Sequence, residues 1–385
     1  MSERVYFDWN ANAPLRPEAR ATVVAALALT GNASSVHAEG RAARRLIEGA
    51  RAEVAALAGA EPRNVTFTSG ATEANVLALT EAIETAGGKR PRDKLLVSAI
   101  EHPSVLGGGR FAGPVEQLPV TAEGVVDLDA LRGALARAER PLVSVMLANN
   151  ETGVILPIVE IAEIVHAANG LLHVDAVQGP GRIACDIGAL GADLMTLSAH
   201  KLGGPQGAGA LIRCGDLQLG PLIKGGGQER GWRAGTENVA AIAGFGAAAA
   251  AVRRSWRAEA ERMAKLRGRL EAGIKAATPQ AVIFGEGAAR LPNTTLVALP
   301  GTKAETAIIA FDLNGIAVSS GAACSSGKVQ ASAVLAAMGV APDLARAALR
   351  VSLGYGSTQD EVERFLGTWN MLSASLLKER RGIAA

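Results

Sequence analysis

Short apolar runs recur along the first half of the chain, most of them followed by a longer stretch with apolar residues at helical spacing. The runs at 64–68, 94–99, 115–119, 142–148, 171–175, 193–198 and 208–213 read as strands, apolar and bounded by turn residues. The segments 41–57, 72–83, 128–138 and 158–168 read as helices, as does 18–29 ahead of them. In 41–57, Leu46, Ile47, Val54 and Leu57 fall on one side. Strand and helix repeated at this spacing predict an α/β fold, with a mostly parallel sheet of the seven-stranded type flanked by helices.

The pattern then changes. A helical region at 236–276, expected to be broken or bent on the way, leads to strand candidates at 281–284, 293–299, 318–320 and 349–353. Helix candidates follow at 302–313, 331–338 and 358–377. Strict alternation is lost, which predicts a smaller α+β domain. The expected limits are 16–260 for the large domain and 1–15 with 261–385 for the small one. A chain of 385 residues is long enough for two domains of ordinary size.

Composition narrows the function. Aromatics are 3% of the chain, so alanine, leucine and valine must fill the cores, as helices on a sheet would. The net charge of +2 is well mixed, with no basic face for nucleic acid. The most apolar window, 239–252, is shorter than the ~20 residues of a membrane span and reads as the buried start of a helix. No long apolar region follows Met1-Ser2-Glu3-Arg4, so no secretory signal is expected. The three cysteines, Cys185, Cys214 and Cys324, form no CxxC pair. That argues against a disulfide framework and against a metal site, and it fits a reducing cytoplasm.

The chemistry centres on Lys201, placed where the 193–198 run stops and the glycine-rich stretch Leu202-Gly203-Gly204-Pro205-Gln206-Gly207 begins. A desolvated, neutral lysine attacks aldehydes; a surface lysine beside a turn is the ordinary alternative. Asp175 shifts that balance, because it ends another apolar run, and in parallel sheets the carboxyl ends of strands line the ligand crevice. A lysine for the aldehyde and a carboxylate for the pyridinium nitrogen are what pyridoxal phosphate needs. His102 and Asn150 also fall at or just past strand ends. Ser69-Gly70-Ala71-Thr72-Glu73, between a strand and a helix, is either a phosphate cup or a plain helix cap. The glycine-rich loop 225–236, with Arg230 and Arg233, could deliver donors to a phosphate.

Two further residues stand out. Arg350 lies inside an apolar strand and needs a partner, either a substrate carboxylate held bidentately or an internal acid. Cys324 sits among serines, glycines and alanines at 319–328, as an exposed, movable thiol would. Cys185 and Cys214 instead have apolar neighbours, as buried small residues would.

Taken together, Ser69 to Glu73, Glu101-His102, Asn149 to Gly153, His173 to Gln178, Ser198 to Lys201, Gly225 to Arg230, Ser319 to Ser326 and Arg350 resemble the NifS/IscS-type cysteine desulfurases. These belong to the class V aminotransferase group of fold-type I pyridoxal-phosphate enzymes. The resemblance runs from about Val5 to Leu377, with the motifs in one order. It implies that Lys201 bonds the cofactor aldehyde, that Asp175 pairs with the pyridinium nitrogen, and that Gln178 and Asn150 hydrogen-bond the ring oxygen. His102 would stack on the ring and move protons. Ala71, Thr72, Ser198 and His200 would hold the phosphate, with Thr236 reaching the phosphate of the partner subunit in a homodimer. Arg350 would bind the substrate carboxylate, with Asn150 also at the substrate and Asn32 a weaker candidate nearby. Cys324 would attack the sulfur of L-cysteine, leaving alanine and a persulfide for an acceptor protein, either an iron–sulfur scaffold or a tRNA-thiolation carrier. The sequence departs from the family pattern at Asp8-Trp9-Asn10-Ala11-Asn12-Ala13, Asn32-Ala33-Ser34, Ser198-Ala199-His200 and Gln330-Ala331-Ser332, none of which removes a catalytic group. Alternatives are a selenocysteine lyase and a class V aminotransferase that makes no use of Cys324.

Overall fold

The computed structural model describes residues 4–85, 88, 90–320 and 332–383. Seven strands form the central sheet, in the order Val65–Thr68, Gly209–Arg213, Leu194–Ser198, Leu171–Asp175, Pro141–Met146, Lys94–Ser98 and Val115–Leu118. Gly209–Arg213 runs antiparallel to both neighbours, and the remaining pairs are parallel. The five central strands are buried at almost every position, which is why they read as continuous apolar runs rather than alternating ones. Helices cover the sheet, and their apolar faces join it in a large core built around Ile47, Val54, Leu96, Val143, Leu172 and Phe245.

A second sheet is antiparallel throughout: Val282–Ile283, Thr294–Ala298, Ala348–Ser352 and Ser319–Ser320. The start of the chain joins this part of the molecule. Val5–Tyr6 pairs with Ile316–Ala317, and Asp8 bridges to Ser352. Val5 and Phe7 pack with Leu270, Val297, Val351, Phe365 and Trp369 in a separate core. Phe311 stacks on Phe365, with ring centroids 4.8 Å apart.

Three expectations need correction. The 236–276 region is one unbroken helix, Val239–Ala277, with no proline to kink it. Its first half lies in the large core through Ile242, Phe245 and Val252, and its second half in the smaller core through Leu266, Leu270 and Ile274. Gly246 lets it approach helix Ala38–Leu57 closely, since a Cβ there would sit 2.4 Å from Ala50 Cα. The helix expected over 72–83 is only Ala71–Ala78; the chain then turns so that Ile83–Glu84 can pair with Gln218–Leu219. Cys214 is exposed rather than buried, because it lies one residue past the end of strand Gly209–Arg213.

Candidate functional site

The carboxyl ends of the parallel strands open into a pocket of about 480 Å³. Ala71, Thr72, His102, Asn150, Asp175, Gln178, Ser198, His200, Lys201 and Arg350, all expected at the site, line it together. Local structure places each of them. Asp175 and Ser198 end their strands, Lys201 ends a 3₁₀ turn, Ala199–Lys201, and Ala71 opens a helix.

At one end the first turn of helix Ala71–Ala78 faces the pocket, with Gly70 at its N-cap carrying no side chain to occupy the free N–H groups. Glu73 reaches back to Ser69, accepting its N–H at 2.9 Å and its hydroxyl at 2.5 Å. Arg233 Nε donates to Glu73 at 3.0 Å, and Arg230 donates to Glu48 at 3.2 Å, so both loop arginines hold carboxylates. Glu73 is held below the ordinary carboxylate range; burial opposes this, but the bonds from Arg233 and Ser69 outweigh it. Glu229 in the same loop is buried and takes both Arg51 Nη atoms, at 2.7 and 2.8 Å.

At the other end Asp175 accepts from Asn75 Nδ2 at 2.9 Å and from the Val177 N–H at 3.1 Å. Asn75 also donates to Ser104 Oγ at 2.9 Å, and Ser104 sits 2.8 Å from His102 Nδ1. The Ser104 N–H points at the same ring nitrogen, 3.2 Å away, so Nδ1 is the acceptor and the ring proton is on Nε2. Burial lowers the His102 pKa; Asp175 opposes this and Lys201 adds to it. Directly before His102 lies the buried Glu101, whose Oε1 accepts from Ser98 at 2.5 Å and from the Met146 N–H at 2.7 Å. Its pKa is pushed up to about 8, chiefly by burial and further by Asp175.

Between the two ends, Lys201 Nζ donates to the carbonyls of Asn10 and Ala11, at 2.6 and 2.8 Å. The Asn10 carbonyl also receives Gln178 Nε2 at 3.1 Å. Asn10 is itself fixed by bonds to Thr294 Oγ1, the Asn150 carbonyl and Asn293. His200 Nδ1 lies 3.0 Å from Asn12 Oδ1, and burial next to Lys201 lowers its pKa to about 4, so the ring is neutral at physiological pH. Arg350, 2% exposed, donates to Asp8 Oδ1 at 2.7 Å and to the Asn150 carbonyl at 3.1 Å. Both partners offered by its sequence context are therefore in reach: an internal acid and the pocket.

Two expected residues lie elsewhere. Asn32 and Thr236 are exposed and do not line this pocket. Cys324 lies outside the described residues, although its flanks are placed. Ser320 pairs with Leu349 beside Arg350, and Ser332 donates to Glu151, the neighbour of Asn150, at 2.6 Å. Sequence reasoning missed Asn10, Ala11 and Asn75. Asn75 was within reach of inspection, since it lies one turn after Ala71 and so on the same helix face; the carbonyls of Asn10 and Ala11 left no local signal.

The class-V aminotransferase family matches residues 5–365. A cysteine desulfurase of Cereibacter sphaeroides is 40% identical, over 94% of this chain and 94% of its own length. Cysteine desulfurase IscS 1 of Archaeoglobus fulgidus is 40% identical over 87% of this chain and 88% of its own. The X-ray structure of a NifS-like protein from Rickettsia africae matches with a TM-score of 0.87 at 37% identity, covering 97% of this chain and 100% of that one. The chain belongs to the class-V aminotransferase family. Within that family it falls among the NifS/IscS-type cysteine desulfurases.

Proposed function

We propose that this pocket holds pyridoxal 5'-phosphate and that the chain is a desulfurase turning L-cysteine into L-alanine, with the sulfur taken by Cys324. One observation carries the reading: Lys201, the Asp175 carboxylate and the open first turn of helix Ala71–Ala78 face a single pocket. The donor set fits the group. An anion suits the helix start with Thr72, Ser198 and His200 around it, and a protonated ring nitrogen suits Asp175. The bound cofactor supplies an aldehyde for the substrate amine and a ring that takes up electrons.

The chain's own residues do the rest. Lys201 Nζ, held by the carbonyls of Asn10 and Ala11, would hold the cofactor through its aldehyde. Gln178 and Asn150 address the ring oxygen. His102, neutral and with its proton on Nε2, would stack on the ring and move protons. Arg350 grips the substrate carboxylate, with Asn32 a weaker contributor. The Cys324 thiolate attacks the substrate sulfur; an S–S bond forms as the Cβ–S bond breaks, and the carbon left with the electron pair is protonated to give alanine.

We further infer a homodimer. Val24, Leu27, Leu29 and Val36 expose apolar side chains on and after helix Pro17–Leu27, a surface that a second copy would cover. Thr236, exposed, would then serve the partner's phosphate. The persulfide passes to an acceptor protein for iron–sulfur or other sulfur-cofactor synthesis. None of the helices among the described residues is long and apolar enough to cross a membrane, and the unpaired cysteines suit a cytoplasmic setting.

An absorbance spectrum with added pyridoxal phosphate, then with L-cysteine, tests the reading. A bound-cofactor band that shifts on cysteine and yields alanine is expected in the wild type, and neither in Lys201→Ala. Full activity of Lys201→Ala would end this reading.

A further inference from the structure

Arg182 is a buried cation that the chemistry above leaves unused. It is 6% exposed, and none of the ion pairs among the described residues involves it. Its Nη1 donates to the carbonyl of Gln178 at 2.9 Å and also to Gln178 Oε1. The turn between them makes this return possible. Gly179 accepts the Arg182 N–H at 3.0 Å, and Gly181 adopts a φ of 82°, which disfavours any residue with a Cβ. Burial, with Arg350 nearby, lowers the Arg182 pKa to about 10, which still leaves it charged at neutral pH.

A guanidinium has only donors, whereas a side-chain amide has a donor end and an acceptor end that differ by a half-turn. Facing Arg182, the Gln178 amide must present Oε1. Its Nε2 is thereby turned the other way, to the Asn10 carbonyl at 3.1 Å and to the pocket that Gln178 lines. Without Arg182 only the Asn10 carbonyl would hold the amide in this sense.

We propose that Arg182 is a positioning residue: it fixes Gln178 so that an N–H, not a carbonyl, meets the ring oxygen of the bound cofactor. This rests on the pocket reading given above. Its buried charge acts in the same direction, since a nearby cation favours an anionic oxygen.

The test is the pH midpoint of the bound-cofactor absorbance band. Removing the oriented donor and the positive charge makes the ring oxygen hold its shared proton more tightly, so the midpoint rises. Loss of one charge-assisted hydrogen bond corresponds to about one pH unit. Arg182→Met is therefore expected to raise the midpoint by about that much, and Arg182→Lys, which keeps both donor and charge, to restore it. Gln178→Ala should raise it as well, and Arg182→Met added to Gln178→Ala should raise it little further, because the two act as one unit. An unmoved midpoint in Arg182→Met, or shifts that add in full, would overturn the proposal. Should Arg182→Met fail to fold, Gln178→Glu presents an acceptor to the same oxygen: an upward shift supports the proposal and none refutes it. A wild-type chain that takes up no pyridoxal phosphate would overturn the pocket reading itself, and this inference with it.

Discussion

Asn75 Nδ2 lies 2.9 Å from Asp175 Oδ2, and its other N–H is directed to Ser104, which in turn meets His102. One amide therefore orients both the carboxylate and the imidazole of the site. Asn75→Ala removes a hydrogen bond to a charged group, a loss of about 1.5–3 kcal/mol. Weaker binding of pyridoxal phosphate by at least roughly tenfold is expected, read by titrating the cofactor into apo-protein. Asn75→Asp should be worse, because it faces one carboxylate with another.

Arg350 has two duties that different substitutions separate. Arg350→Lys keeps a cation for Asp8 but loses the fork that holds a carboxylate at two points. It should raise the KM for L-cysteine more than tenfold, with the cofactor spectrum intact. Arg350→Ala also leaves Asp8 unpaired and should cost about 3 kcal/mol of stability, measured by urea unfolding.

Cys324→Ser should still bind the cofactor and still change its spectrum on L-cysteine. Mass spectrometry of the intact chain should find a sulfur adduct of the wild type and none of the variant. Normal sulfide release by that variant would show that the sulfur is accepted elsewhere.

Glu101 makes stability depend on pH. Its folded-state pKa, about 8, lies above the ordinary 4.5, so the folded chain keeps a proton that the unfolded chain has lost over that interval. Its contribution is fully present below pH 4.5 and is lost as pH rises through about 8. Glu101→Gln cannot ionise, and its Oε1 can keep the bonds from Ser98 and Met146. It should gain on the order of 5 kcal/mol over wild type at pH 8.5 and almost nothing at pH 4, as read from unfolding curves at the two values.

Much of the site was legible because a parallel sheet collects its ligand residues at strand ends. Asp175, Ser198 and Lys201 each close an apolar run, and that signal is local. The glycine turn before Thr72 was ambiguous on its own; the structure brings it to the pocket that Asp175 also lines. Other features were illegible because they depend on contacts between distant segments. Lys201 meets the carbonyls of Asn10 and Ala11, 191 and 190 positions away. The short ladder of Ile83–Glu84 with Gln218–Leu219 overrode a helical pattern in the same way. Cys214 was misread because apolar neighbours were taken for burial, whereas the strand had already ended.

The helix Val239–Ala277 behaves mechanically as a beam. At 1.5 Å per residue its 39 residues span roughly 58 Å, with one end seated in each core. A beam transmits torque without shortening, so a tilt of the sheet carrying Arg350 against the sheet carrying Asp175 must be absorbed in the connections around it, not along its axis. Gly246 is the beam's bearing against Ala50: a bulkier residue there would force this helix away from helix Ala38–Leu57.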